Sequence, residues 1–227
     1  MGFCFFSFNL IQVQGYSPTA AGTALVPFPV IMFLLSRWSG KLVDRYGARL
    51  PLMVGPVIAA AGFALLAVPG VGGSYWTTFF PAVLVLGLGM VISVPALTTT
   101  FMGAVRQSHA GVASGVNNAV SRTAGLLAIT VLGIIILSAF NASLNELIAP
   151  LELSPEAQQF LDEQRTRLAA AEVPPGVSKE VSAALQEAIA SSFVDGFRVV
   201  MFIAAGLAIA SAIIASFMIR TRKSPSR

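Results

Sequence analysis

The residues best suited to chemistry lie in one apolar stretch, where Asn117, Asn118 and Arg122 stand among alanine, valine, glycine and leucine. If this stretch spans a membrane from about Val112, Arg122 lies roughly ten residues, or about 15 Å, along the helix. A charge at that depth is costly and usually faces a cavity or a partner. We expect these three residues to line a substrate or transport cavity. The alternative is a structural arginine that bonds to backbone carbonyls or to the asparagines one turn away.

A second polar group separates two apolar stretches and consists of Gly40, Asp44, Arg45, Gly47 and Arg49. The glycines allow a tight turn between two helices. The arginines suit a membrane surface, and the carboxylate can face a helix N-terminus or an arginine. The alternative is that these residues have no specific role, because any short basic loop beside a membrane contains such residues.

Residues for other kinds of chemistry are scarce. The chain has one cysteine, Cys4, and one histidine, His109, and neither has the spacing of a metal site or a disulfide framework. No nucleophile elbow, phosphate-binding loop or paired carboxylate occurs in the apolar stretches. We therefore expect no catalytic residue, no metal and no cofactor, and we expect that the protein is not an enzyme.

The composition describes the surroundings in which these residues work. Only 11% of the residues are charged and 56% are hydrophobic, with a mean hydropathy of +0.80, whereas soluble domains carry about a quarter charged residues. No charged residue occurs from Leu50 to Val105. The basic residues are scattered in short loops rather than gathered on one face, which argues against nucleic acid as a partner. The lipid bilayer is the expected partner.

Apolar stretches near 20 residues long have the length that a helix needs to cross a bilayer. The sequence predicts an all-α, polytopic membrane protein of six spans in a single domain, the first of them truncated. The predicted spans are residues 1–14 (partial), 20–38, 51–69, 77–99, 112–137 and 197–219.

Charge asymmetry predicts the orientation, because short cytoplasmic loops are enriched in lysine and arginine. Basic residues follow the second, fourth and sixth predicted spans, and nine of the ten acidic residues lie between Glu146 and Asp195. We therefore expect both termini in the cytoplasm, including a tail at 220–227. We expect the protein itself in a bacterial-type cytoplasmic membrane.

The segment 141–194 is the part with soluble character. Ser154 and Pro155 can begin a helix, residues 174–176 (Pro-Pro-Gly) stop it, and Ser178 can cap a second one. We predict an external helical hairpin; a disordered loop is the alternative.

The loop Gly40–Arg49 reads GKLVDRYGAR and resembles the G-x-L-x-D-R-x-G-x-R signature of the major facilitator superfamily. In that family the loop joins the second and third helices of a six-helix half, which is its position in the predicted span order. The resemblance implies that the five polar and glycine residues of this loop form a cytoplasmic latch. Ala48 replaces the commoner basic residue, which weakens the charge of that latch.

The sequence from Gly111 to Asn118, followed by Arg122 and Gly125, is similar to the fifth helix of the second half in the fourteen-span drug:proton antiporter branch, often called EmrB/QacA-like. Residues 14–18 (QGYSP) are similar to the same branch. This resemblance implies the carboxy-terminal six-helix bundle of a major facilitator fold.

The resemblance further implies a secondary transporter, a proton-coupled exporter of drugs or other small amphiphiles, of which an amino-terminal half is missing here. Such an exporter rocks two halves about a site between them. Because no Asp or Glu lies inside a predicted span, the proton-carrying acid is expected in that missing half. The alternative function is a six-span membrane sensor or scaffold whose external domain is 141–194.

Overall fold

The computed structural model describes residues 2–72, 74–103, 105–151 and 153–218, and they form helices and turns without a strand. Five of the helical stretches are long and apolar enough to cross a membrane. The predicted tail at 220–227 lies outside the described residues. The helices are α1 Gly2–Phe8, α2 Pro18–Ala24, α3 Pro27–Tyr46, α4 Arg49–Ala67, α5 Tyr75–Gly103, α6 Ala110–Ile148, α7 Pro155–Gln164 and α8 Lys179–Met218.

The fold is an all-α bundle in which the long helices pack side by side in the order α3, α5, α4, α8, α6. We call the end with the turn at 47–48 the signature end, and the end with the turn at 68–74 the distal end. α1 continues through a π-helical turn at Asn9–Val13, and the rings of Phe6 and Phe79, 5.5 Å apart, hold it against α5. The structure thus contains a short first helix and five long apolar stretches.

The second stretch is broken rather than continuous. α2 ends at Ala24 and α3 begins at Pro27, because prolines 27 and 29 have no N–H to donate to the preceding turn. The hydroxyl of Ser17 caps α2 by accepting from the Ala20 N–H at 3.2 Å. Two helices therefore share the span predicted at 20–38.

α4 and α5 pack closely because small residues face each other along their contact. A Cβ added to Gly62 would lie 2.7 Å from the Cα of Leu86, and one added to Gly89 would lie 2.7 Å from the Cα of Ala59. Small residues at such positions let helix backbones approach. The hydroxyl of Ser39 adds a 2.6 Å hydrogen bond from α3 to the Val91 carbonyl of α5.

α6 and α8 extend well beyond the spans predicted for them. Their 39 and 40 residues measure about 58 and 60 Å at the usual rise per residue, because no proline interrupts either helix. The segment predicted as a separate hairpin at 141–194 therefore contains one separate helix, α7, flanked by continuations of α6 and α8. Ser154 caps α7, with a 3.2 Å bond from the Ala157 N–H.

The core lies mainly toward the distal end. Apolar side chains of α1, α4, α5, α6 and α8 meet there in one buried cluster. By contrast, α6 contributes no buried side chain before Leu132, which is slightly more than the first half of the helix. The largest buried side chains are Phe6, Leu10, Leu66, Phe79, Ile136, Phe140, Leu144, Leu161, Leu185, Phe193, Phe197 and Met201.

Candidate functional site

Of the predicted loop Gly40–Arg49, residues 47–48 form the tight turn between α3 and α4, and the other residues belong to these two helices. Gly40 lies within α3, and Gly47 turns the chain with a φ of 72°, a value that residues with a Cβ adopt rarely. Asp44 and Arg45 are exposed in the last turn of α3. The guanidinium of Arg45 lies 5.4 Å from the ring centre of its neighbour Tyr46. The turn thus presents charged groups at the signature end of the bundle.

Arg49 connects this turn to the last helix. Its Nη2 donates a 3.0 Å hydrogen bond to the carbonyl oxygen of Ser216, in the last turn that the structure describes for α8. Asp44 forms no hydrogen bond or salt bridge with the described part of the chain. Of the five loop residues, Arg49 is therefore the one that joins two separate helices.

Asn117, Asn118 and Arg122 are all exposed on α6. No described residue forms a hydrogen bond or salt bridge with Arg122, so the structural pairing with the asparagines is not observed. Gly111, Gly115, Asn118, Arg122 and Gly125 recur at helical spacing and share one face. The structure leaves this face open, and it leaves the other faces of α6 open as well as far as Val131; Arg122 is the cation in this stretch. No hydrogen bond between described residues joins these side chains to the turn at 47–48.

The break between α2 and α3 carries a polar contact that the sequence did not reveal. Ala24 would normally accept a bond from the N–H of Phe28, but that N–H goes to the Leu25 carbonyl at 3.1 Å. The hydroxyl of Tyr75, at the start of α5, instead donates to the Ala24 carbonyl at 2.6 Å. In a membrane a freed carbonyl needs such a donor. The signal available in the sequence was a tyrosine at the distal end of the neighbouring helix.

A cavity of about 400 Å³ lies beside this break at the distal end. It is lined by three aromatic residues, of which two are tyrosines, by one threonine and one serine, and by three small apolar residues. Its lining residues are Tyr16, Ala20, Thr23, Ala24, Pro27, Ser74, Tyr75 and Trp76.

A second polar cluster ties three helices together at the distal end. Asp195 of α8 accepts from the hydroxyl of Ser143 on α6 at 2.9 Å and from Arg198 at 3.3 Å. Arg198 also donates from Nε to the carbonyl of Ala67, at the end of α4, at 3.1 Å. This cluster binds the bundle together rather than lining a cavity.

Long apolar helices, prolines within them and one cation on an open helix face define an all-helical protein built to cross a membrane several times. A sequence model of the Major Facilitator Superfamily matches residues 1–143. The chain belongs to the Major Facilitator Superfamily. The family resemblance noted in the loop Gly40–Arg49 is thereby confirmed, and a transport family agrees with the expectation that the protein is not an enzyme.

Several curated transport and resistance proteins are similar to the chain. It is 28% identical over 206 residues to the multidrug resistance protein Stp of Mycobacterium tuberculosis (strain H37Rv), covering 86% of this chain and 37% of Stp. It is 28% identical over 229 residues to the tetracenomycin C resistance and export protein of Streptomyces glaucescens, covering 98% and 41%. It is 26% identical over 232 residues to a tetracycline resistance determinant of Streptomyces rimosus, covering 93% and 64%. The chain spans less than half the length of the first two relatives.

Proposed function

We propose that this chain is the carboxy-terminal half of a secondary exporter of drugs or similar amphiphiles, and that the Arg122 face of α6 lines its transport path. The proposal is supported by family membership together with an exposed cation, Arg122, on a helix that is long and apolar enough to cross a membrane. A charge within the bilayer usually faces the bundle interior or a water-filled cavity. Relatives named for drug resistance and export support the substrate class.

We also propose a partner and a coupling ion for the transporter. In this scheme the part of α6 before Leu132 meets a preceding half of the same transporter, and the substrate site lies between the halves. Protons drive export, with the titrating acid in that preceding half. The carboxylates of α6 and α8, such as Glu146 and Glu187, lie in the continuations of these helices beyond the predicted spans.

Topology and the signature loop complete the proposal. The signature end faces the cytoplasm, with both termini on that side, and the segment 141–194 lies outside. The turn at 47–48 acts as a latch whose tie to α8, through Arg49, breaks and reforms as the transporter changes state. The sensor or scaffold function has weaker support, because the chain belongs to a transporter family.

The test is ethidium efflux from cells that express this chain alone or joined to the upstream part of the Streptomyces glaucescens relative. We expect efflux from the joined protein only, and we expect a proton uncoupler to abolish it. Arg122→Ala should stop efflux while the protein still inserts, because Arg122 has no described partner to lose. The matched control is Arg106→Ala, since Arg106 is exposed in the turn before α6.

Two results would contradict parts of this proposal. Efflux from the short chain alone would show a self-sufficient transporter rather than a half. Unchanged efflux after Arg122→Ala would remove Arg122 from the transport path.

A further inference from the structure

We infer that the Asp195–Arg198 pair on α8 binds the headgroup of an amine-bearing phospholipid in the leaflet at the distal end. The pair lies at the depth where the membrane surface is expected. Arg198 bonds to the carbonyl of Ala67, at the end of α4, and the next helix begins with Tyr75 and Trp76. Tyrosine and tryptophan are enriched at the level of the headgroups. The inference goes beyond the proposed export function and does not depend on it.

Both members of the pair keep bonding capacity for a ligand. Their side chains are about half exposed. The Arg198 guanidinium has five N–H groups, and its described contacts are one bond to Ala67 and one to Asp195. The Asp195 carboxylate accepts one bond at each oxygen, from Ser143 and from Arg198, and each oxygen has a second lone pair. The pair can therefore donate to an anion and accept from a cation at the same time.

A zwitterionic headgroup has the complementary charges. Its phosphate suits a guanidinium and its ammonium suits a carboxylate, and these two groups of the protein lie 3.3 Å apart. The primary ammonium of phosphatidylethanolamine also donates N–H bonds, which the quaternary ammonium of phosphatidylcholine cannot do. Phosphatidylglycerol carries a net negative charge and offers no cation to Asp195. The pair therefore favours phosphatidylethanolamine over both.

The surface of α8 below the pair suits an acyl chain. Phe202 and Ile209 follow Asp195 at intervals of seven residues, so the three share one face of the helix. Both apolar side chains are exposed, as is Ile213 one turn further on. Gly206 lies between them, and a Cβ added to it would meet no neighbouring helix of the described chain within 4 Å. The face thus combines a charged pair at the membrane surface with an open apolar strip, in the same order as the headgroup and chain of a lipid.

Native mass spectrometry of the full 227-residue chain measures the preference. The protein is delipidated in detergent and mixed with equal amounts of phosphatidylethanolamine, phosphatidylcholine and phosphatidylglycerol that have the same acyl chains. We expect phosphatidylethanolamine to be retained roughly three- to ten-fold more than either other lipid, the effect of one or two hydrogen bonds. Asp195→Asn should lower its retention to the level of phosphatidylcholine, because the amide has no charge and one accepting oxygen fewer.

Two further variants separate lipid binding from packing. Ser143→Ala breaks the bond to α6 and leaves the charge of Asp195, so the preference for phosphatidylethanolamine should persist. Glu187→Gln is the matched control for Asp195→Asn, because Glu187 is an exposed carboxylate on the same helix, eight residues or about 12 Å further from the bilayer. It should leave the preference unchanged. Circular dichroism checks that each variant is folded.

Equal retention of the three lipids would overturn the inference and leave this face to unselected lipid or to another part of the transporter. Preferred retention of phosphatidylglycerol would also overturn it, because Arg198 would then act alone as an anion site. A preference that survives Asp195→Asn, or that is lost in Ser143→Ala as well, would show that the carboxylate does not select the lipid. Each of these outcomes is read without transport, so the efflux experiment succeeds or fails separately.

Discussion

The hydroxyl of Tyr75 donates a 2.6 Å hydrogen bond to the carbonyl oxygen of Ala24, across the gap between α5 and the broken second span. The break frees this carbonyl, because the amide N–H of Phe28 bonds one residue short, at Leu25, and Pro27 has no N–H to donate. The bond thus holds a proline-broken membrane helix to its neighbour at the rim of the distal cavity. The same contact that stabilises the break also shapes that cavity.

Tyr75→Phe tests this relationship. The ring stays and the donor is lost, which leaves a partly buried carbonyl unsatisfied at a cost of about 1 to 3 kcal/mol. We expect a lower thermal unfolding midpoint and faster hydrogen exchange of the amides around residues 25–30. Tyr16→Phe is the control, because the Tyr16 hydroxyl has no hydrogen bond within the described part of the chain. Equal exchange in the two variants would mean that the break holds without the Tyr75 hydroxyl.

A pair of glycines two residues apart on α5 gives a second prediction. A Cβ at Gly89 would lie 2.7 Å from the Cα of Ala59, whereas a Cβ at Gly87 would meet side chains alone, those of Ile31 at 3.4 Å and Phe28 at 3.6 Å. Gly89→Ala should therefore push α4 and α5 apart and destabilise the bundle by about 1 to 3 kcal/mol.

Gly87→Ala should be nearly neutral, because alanine suits a helix interior better than glycine and a side-chain methyl group can move. Thermal unfolding in detergent compares the two variants. Equal destabilisation by both would show that α4 and α5 have room to relax at their contact.

The sequence predicted the fold class and family well, because both depend on local patterns. Charge-free apolar stretches indicate long helices, and the loop Gly40–Arg49 carries a spaced signature. By contrast, the continuity of α6 beyond 137 and of α8 before 197 was not predicted. A helix after Ser178 was expected, but as part of a separate hairpin, because a local pattern does not show whether two helical segments join.

The contacts between residues that are far apart in the chain could not be predicted from the sequence. Tyr75 and Ala24, or Arg49 and Ser216, are brought together by helix packing, which no local periodicity records. The residue types of the open face around Arg122 could be read from the sequence. Only the structure shows that no described residue pairs with Arg122. The assignment of that face to transport therefore stays a proposal.

Arg49→Gln should loosen the signature end. The variant loses the 3.0 Å bond from the guanidinium to the Ser216 carbonyl, and bonds to charged groups contribute about 1.5 to 3 kcal/mol. Faster hydrogen exchange at residues 213–218 is the expected readout, with a lower unfolding midpoint. Arg45→Gln is the control, because Arg45 is exposed in the same turn and contacts its own neighbour Tyr46. Unchanged exchange after Arg49→Gln would show that α8 does not depend on this tie.

Two variants of the Asp195–Arg198 pair at the distal end are expected to differ in stability. Arg198→Gln removes the bond to Asp195 and the bond to the Ala67 carbonyl, whereas Asp195→Asn leaves the contact with Ala67 and still accepts from Ser143. Both side chains are about half exposed, at 40% and 49%, so water screens the pair and its own contribution is below about 1 kcal/mol.

The larger loss should therefore follow Arg198→Gln, because the guanidinium also lies at the end of α4, where carbonyls are left without helical partners. Thermal unfolding of both variants at low and high salt separates the two effects. The difference between them should persist at high salt, since the bond to a carbonyl is less screened than the ion pair. The reverse order, with Asp195→Asn the more damaging, would mean that the link from α8 to α6 through Ser143 matters more than the link to α4.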